Sequence, residues 1–216
     1  MISRKVIKVV GSGNNATISE GLGDLIFVNT SFSRLPNLQF IENLVLAEGY
    51  CDLSQVFKPG NVNLELKNIR LKKVSLLENK HVENLVIITR LRRHEIDLGL
   101  RKIKLSYKNL TLVNNRSFYT FLIKFLLLKR KMKTNLFLHY AISVITNRKP
   151  PVMYRPSNGV SAGLLAMRKE PRASIIYDGF LSQVSYYGKD LNEHFLNNDH
   201  EKIDRYLIEA MGASLC

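Results

Sequence analysis

Val6-Ile-Lys-Val-Val-Gly-Ser-Gly-Asn-Asn15 and, after a polar interval, Leu25-Ile-Phe-Val-Asn29 decide the fold. Both apolar runs are short and rich in β-branched residues, and each stops at a turn-forming residue, Gly11 or Asn29, as buried parallel strands do. Apolar runs at 44–47, 85–89, 110–113 and 174–177 predict four more strands. Helical patterns occupy 117–132, 135–146, 159–168 and 200–211. This alternation predicts an α/β sheet joined by right-handed crossovers. Residues 60–74 alternate instead (Val62, Leu64, Leu66, Ile69, Leu71), predicting a solvent-facing strand or ribbon. Pro150, Pro151 and Pro156 remove amide donors and favour extended backbone, so residues 147–156 read as a loop feeding the next helix.

The 216 residues are 45% hydrophobic and 23% charged, which fits one compact domain spanning 1–216. Residues 115–150 read as a basic helical lid or a membrane-facing segment. Thirty-two Lys and Arg stand against 18 Asp and Glu, a net charge of +14, so partners are anionic: nucleic acid, anionic lipid or nucleotide-linked substrates. Two distant cysteines, Cys51 and Cys216, suggest neither a disulfide framework nor a zinc site, and a reducing cytoplasm is the simplest compartment. The first ten residues lack the apolar run of a signal peptide, and no run reaches the ~18 apolar residues a membrane span needs.

Several polar constellations fall at the ends of these elements. Gly11, Ser12, Gly13 and Asn14 follow the first strand, where glycines let backbone amides approach an anion. The turn lacks the third glycine of a dinucleotide fingerprint and the Lys-Ser/Thr of a phosphate loop. Asn29 closes the second strand, at the edge where open α/β sheets bind ligands. Arg155, Ser157, Asn158 and Gly159 open a helix whose first-turn amides and guanidinium suit a phosphate. Each of these also has a local reading as a strand-exit turn or an N-cap. Asp178-Gly179 follows a strand, Tyr186 and Tyr187 offer phenols from a loop, and His200 begins the last helix, where an imidazole can take a proton near neutral pH.

Taken in order, these pieces resemble the bacterial sialyltransferases that use CMP-activated sialic acid, with their relatives in surface-polysaccharide synthesis. The resemblance covers the two ends, about 6–32 and 155–211, and not the middle. Gly11-Ser-Gly13 and Asn29 are similar to the family's nucleotide-contacting turn and strand end. Arg155-Pro-Ser157-Asn158-Gly159 is similar to its Arg-x-Thr/Ser-Ser-Gly motif, with Asn in place of the second hydroxyl residue. Gly179 with Tyr186 and Tyr187 resembles its phosphate-binding segment, and His200 with Asp204 its terminal-helix pair. Two features depart from the pattern. Glu48 follows the third strand where the family offers an Asn-Pro turn, and the sequence stops at Cys216 where relatives often continue.

The resemblance implies a Rossmann-like, GT-A-like variant domain with a mostly parallel sheet and a small lid. It implies inverting, metal-independent transfer of sialic acid, Kdo or a related sugar from a CMP-sugar donor, with no cofactor, to a glycan or lipid-linked acceptor. In that scheme His200 deprotonates the acceptor while Tyr186, Tyr187 and Arg155 stabilise the departing CMP phosphate. Lys124 to Lys133, beside an apolar helical face, would hold the enzyme peripherally on anionic lipid at the inner face of the membrane. A homo-oligomer is compatible with this reading. Two rivals stay open: a basic nucleic-acid-binding domain, though the clusters lack interleaved aromatics, and a non-catalytic member of a glycan-assembly complex.

Overall fold

The computed structural model describes residues 5–11, 24–35, 38–51, 72, 74–179 and 199–215. The expected strands are present: β1 (Val6–Val10), β2 (Asp24–Val28), β3 (Phe40–Ala47), β4 (His81–Ile88), β5 (Ser106–Val113) and β6 (Ser174–Asp178). A short β7 (Ser214–Leu215) follows the last helix. Among the described residues these form one all-parallel sheet, ordered β5-β4-β3-β2-β1-β6-β7. The fold is therefore a single Rossmann-like α/β domain.

Helix α1 (Arg93–Lys102) lies between β4 and β5, and α2 (Asn115–Leu128), α3 (Thr134–Thr146) and α4 (Asn158–Lys169) lie between β5 and β6. Helix α5 (Asp199–Met211) precedes β7. The chain steps outward from β1 to β5, then returns past β1 to β6 and β7. Right-handed crossovers put connections running in opposite directions on opposite faces, and the core divides accordingly. Ile96 and Leu100 of α1 pack with Val10, Phe27, Leu44 and Leu85 on one face. Phe118, Tyr140, Val160 and Leu207 of the later helices pack with Val9, Val28, Val45 and Ile175 on the other. The reversal between β1 and β6 makes their carboxyl ends the topological switch point, where sheets of this kind bind ligands.

β3, β4 and β5 each begin four residues before the apolar run that announces them, at 40, 81 and 106 in place of 44, 85 and 110. Pairing passes over Glu42, Glu83 and Lys108. Ile41, Val82 and Tyr107 thereby join the same core layer as Leu44, Leu85 and Leu110, three positions on. Alternation is broken there, which hides the strand starts from a period-2 reading. Asn43, Asn84 and Asn109 stand at matched register. The Asn109 amide donates to the Asn84 carbonyl (3.1 Å), Asn84 to Asn43 (3.2 Å), and Asn43 to the Leu25 carbonyl (3.3 Å).

Three expectations change. The helix read over 117–132 stops at Leu128, because Arg130 is left-handed (φ 54°) and a Lys129–Lys133 turn sends the chain back into α3. Thr89 lies just past β4, its hydroxyl oxygen accepting the Leu91 amide (2.9 Å). Most of the 60–74 ribbon lies outside the described residues, and Lys72 and Val74 at its end are helical.

Candidate functional site at the carboxyl edge of the sheet

Helix α4 sets the geometry. Ser157 caps it, its hydroxyl oxygen accepting the Val160 amide (3.3 Å), and the Ser157 carbonyl accepts the Ser161 amide (2.9 Å). The amides of Asn158 and Gly159 are the other donors of the first turn. The helix lies close on β6 because Gly163 has no side chain: a Cβ there would meet the Tyr177 hydroxyl and ring. The Tyr177 hydroxyl donates to the Val160 carbonyl (3.2 Å) and lies 3.6 Å from the Met211 sulfur, tying β6, α4 and the end of α5 together.

Helix α5 reaches the same place from the other side. The buried Asp204 carboxylate accepts the Ser157 backbone amide (2.9 Å), so an internal anion already occupies part of the positive end of α4. Burial pushes this carboxyl up to about 6, and its hydrogen bonds to Ser157 pull the other way without winning. The phenols of Tyr140 on α3 and Tyr177 on β6 lie near enough to feel its charge. Burial pushes Tyr119 and Tyr140 well above the usual phenol range, with the Arg155 guanidinium opposing the shift at Tyr119 and the Asp204 charge adding to it at Tyr140. The Tyr140 hydroxyl is fully buried without a hydrogen-bond partner among the described residues. Tyr119 and Tyr140 are in ring contact (5.3 Å), and His139 stacks on Tyr154 (3.9 Å) next to Arg155.

At the switch point, the Gly11 amide donates to the Asp178 carbonyl (2.7 Å), joining the exits of β1 and β6. The Asp178 carboxylate pairs with Lys8 at 2.6 Å, both side chains under 10% exposed. Gly179 follows with φ 72°, a conformation that costs glycine little and other residues more. Asn29 sits at the end of β2 as expected, left-handed (φ 55°), with its side-chain carbonyl accepting the Ala47 amide (2.9 Å). That bond fastens β2 to β3.

The structure thus brings Arg155, Ser157, Asn158 and Gly159 together with Asp204, and puts Gly11, Asn29 and Gly179 on the carboxyl edge of the sheet. His200 lies in the first turn of α5, four residues before Asp204. Ser12, Gly13, Asn14, Tyr186 and Tyr187 lie outside the described residues.

Two cavities are lined by the described residues, and neither includes Gly11, Arg155 or Gly179. The smaller, about 370 Å3, adjoins the site and is walled by Lys133, Lys202, Tyr154, Tyr206, Ile203 and Met153 among others. The Lys133 ammonium lies over the Tyr206 ring (4.6 Å). Lys133 reads in the sequence as part of the lipid-facing basic segment, and Lys202, Tyr154 and Tyr206 are not singled out there. The larger, about 630 Å3, lies away from the switch point on the sheet face around the asparagine row, with Lys5, Arg168 and Lys169 at its margin. We place the candidate chemistry at the smaller one, because it borders the segments that carry the sequence motifs. Among the described residues no cluster of three or more metal-ligating side chains occurs, and no helix is long and apolar enough to cross a membrane.

Comparison with protein-family models, curated proteins and solved structures finds no match.

Proposed function

We propose that this chain is a nucleotide-sugar glycosyltransferase that binds a CMP-activated sugar at the carboxyl edge of its sheet. One observation carries the reading: the Asp204 carboxylate accepts the Ser157 amide, which ties α5, the helix that His200 opens, to the start of α4 just after Arg155. Two segments 47 residues apart in sequence, at Ser157 and Asp204, therefore meet at one helix terminus.

Arg155 and the Asn158 and Gly159 amides supply donors for the phosphate of the donor sugar. Lys133 and Lys202 of the adjoining pocket supply further positive charge. The His200 imidazole accepts the proton of the acceptor hydroxyl as its oxygen attacks the anomeric carbon from the side opposite the phosphate. The bond from that carbon to the phosphate oxygen breaks, and its electron pair leaves with CMP, where Arg155, Tyr186 and Tyr187 stabilise the charge. Asp204, ionised above about pH 6, stands one turn from His200 and favours the imidazolium that forms.

The test is thermal unfolding with CMP, UMP, GDP or AMP. Ligand at a hundredfold excess over its Kd adds about 2.7 kcal/mol, a rise in Tm of roughly 5–10 °C for a domain of this size. A rise with CMP alone, lost in Arg155→Ala, supports the reading, and no rise with any nucleotide rejects it. Donor hydrolysis then separates an enzyme from a non-catalytic scaffold. His200→Ala should lower turnover about 10²- to 10⁴-fold while leaving the CMP-induced rise in place.

A further inference from the structure

Residues 98–169 contain fifteen Lys and Arg and not one Asp or Glu, leaving 17 basic against 18 acidic residues in the rest of the chain. The entire net charge of +14 therefore resides in the stretch carrying α2, α3 and α4. Within it, α3 turns an apolar face outward. Leu138 (57% exposed), Ile142 (48%) and Ile145 (74%) recur at i, i+4 and i+7, with Phe137 beside them. Leu127 and Leu128 extend the exposed apolar surface at the end of α2. The opposite face of α3 is satisfied: Leu136, Tyr140 and Ser143 are buried.

Basic groups stand at both ends of this stripe. The Lys129–Lys133 turn precedes α3, and Arg148 follows it. Arg116, exposed at the start of α2, donates to the Val144 and Ile145 carbonyls (2.9 and 3.3 Å) and so holds its charge at the carboxyl end of α3. We infer that the outer face of α3, with the basic groups at its two ends, docks flat on an anionic membrane surface. The helix is about 20 Å long, with aliphatic side chains on one side and cations at its ends, the distribution that lies in the plane of a lipid interface. Charge also argues against a second copy of the chain as occupant. Pairing two such faces would oppose two strongly basic helix ends at short range, with Glu209 beside Lys131 the one carboxylate the structure pairs with the Lys129–Lys133 turn among the described residues. The docking does not depend on the proposed chemistry.

The test uses the full chain sedimented with vesicles of phosphatidylcholine alone, or of phosphatidylcholine with about a third phosphatidylglycerol. Binding to the anionic vesicles alone, weakening with added salt, is the expected result. Ile142→Asp/Ile145→Asp should bind about a hundredfold more weakly, roughly tenfold for each aliphatic side chain withheld from the interface. Lys129→Gln/Arg130→Gln, which leaves the apolar face intact, should bind about 25-fold more weakly, near fivefold per charge. Arg155→Ala should bind like the unaltered chain, which separates this result from failure of the donor reading. The inference is overturned if anionic vesicles are not bound, or if the aspartate variant, folded by circular dichroism, binds equally well. It is likewise overturned by a dimer that Ile142→Asp/Ile145→Asp dissociates in the absence of vesicle binding, since the face would then belong to a second copy.

Discussion

Asp204→Asn isolates the cost of keeping a carboxylate inside the junction of α4 and α5. Burial holds the Asp204 carboxyl at about 6 in the fold against 3.8 for the ordinary group. That difference makes ionisation in the fold about 3 kcal/mol more costly than in the unfolded chain. Below about pH 4 both states keep the proton and nothing is lost. As pH rises from about 4 to about 6 the unfolded chain ionises first, and the fold loses stability steadily. Above about 6 the loss is complete and constant. Asparagine keeps a carbonyl oxygen for the Ser157 amide and never ionises. The stability of the variant minus that of the unaltered chain should therefore rise by about 3 kcal/mol between pH 3.5 and 7. Urea unfolding at half-unit steps of pH, with equal slopes in both proteins, reads it directly. A difference independent of pH would refute the burial argument. A difference that falls with pH would show that the surroundings favour the anion.

Other perturbations test the switch point and the packing beneath it. Lys8→Met should cost about 3–5 kcal/mol, because it leaves the buried Asp178 carboxylate uncompensated, and Lys8→Met/Asp178→Leu should recover most of the loss in a double-mutant cycle. Gly163→Ala should cost about 1–3 kcal/mol by forcing the Tyr177 ring aside. Adding Tyr177→Phe should make the pair less costly than the sum of its parts, since the hydroxyl is the atom nearest the new methyl group. Asn114→Ala removes the acceptor of the Ser117 amide at the start of α2 and should lower stability by about 1 kcal/mol in chemical denaturation.

The parts of the fold that were legible are those where burial and composition agree. β1 and β6 lie inside the sheet and read as short apolar runs, interrupted in β1 by Lys8 and ended in β6 by Asp178. β3 to β5 were half legible, because Asn43 and Asn84 face an open groove, Asn109 is exposed, and none of the three carries an apolar signal. Helix α1 was missed among its charges, although Ile96, Leu100 and Ile103 do recur at i, i+4 and i+7, all buried. At the candidate site, Arg155 and Ser157 were visible because a loop rich in proline announces a helix start. Tyr119, Tyr140 and the Lys8 to Asp178 pair were not, since a buried phenol or lysine in an apolar run looks the same as a core residue until the topology pairs it. Lys133 and Lys202 belong to one pocket only through tertiary packing.

The chain of asparagine amides crossing β5, β4 and β3 also constrains how the sheet can assemble. Sliding any of the three strands by a single residue would uncouple its amide from the row and turn an Asn toward the aliphatic layer formed by Ile41, Leu44, Val82 and Leu85. A misaligned sheet would therefore bury an unpaired amide, at about 1–3 kcal/mol for each one. The row works as a proofreading device for strand alignment, acting beside the aliphatic layer that packs against α1.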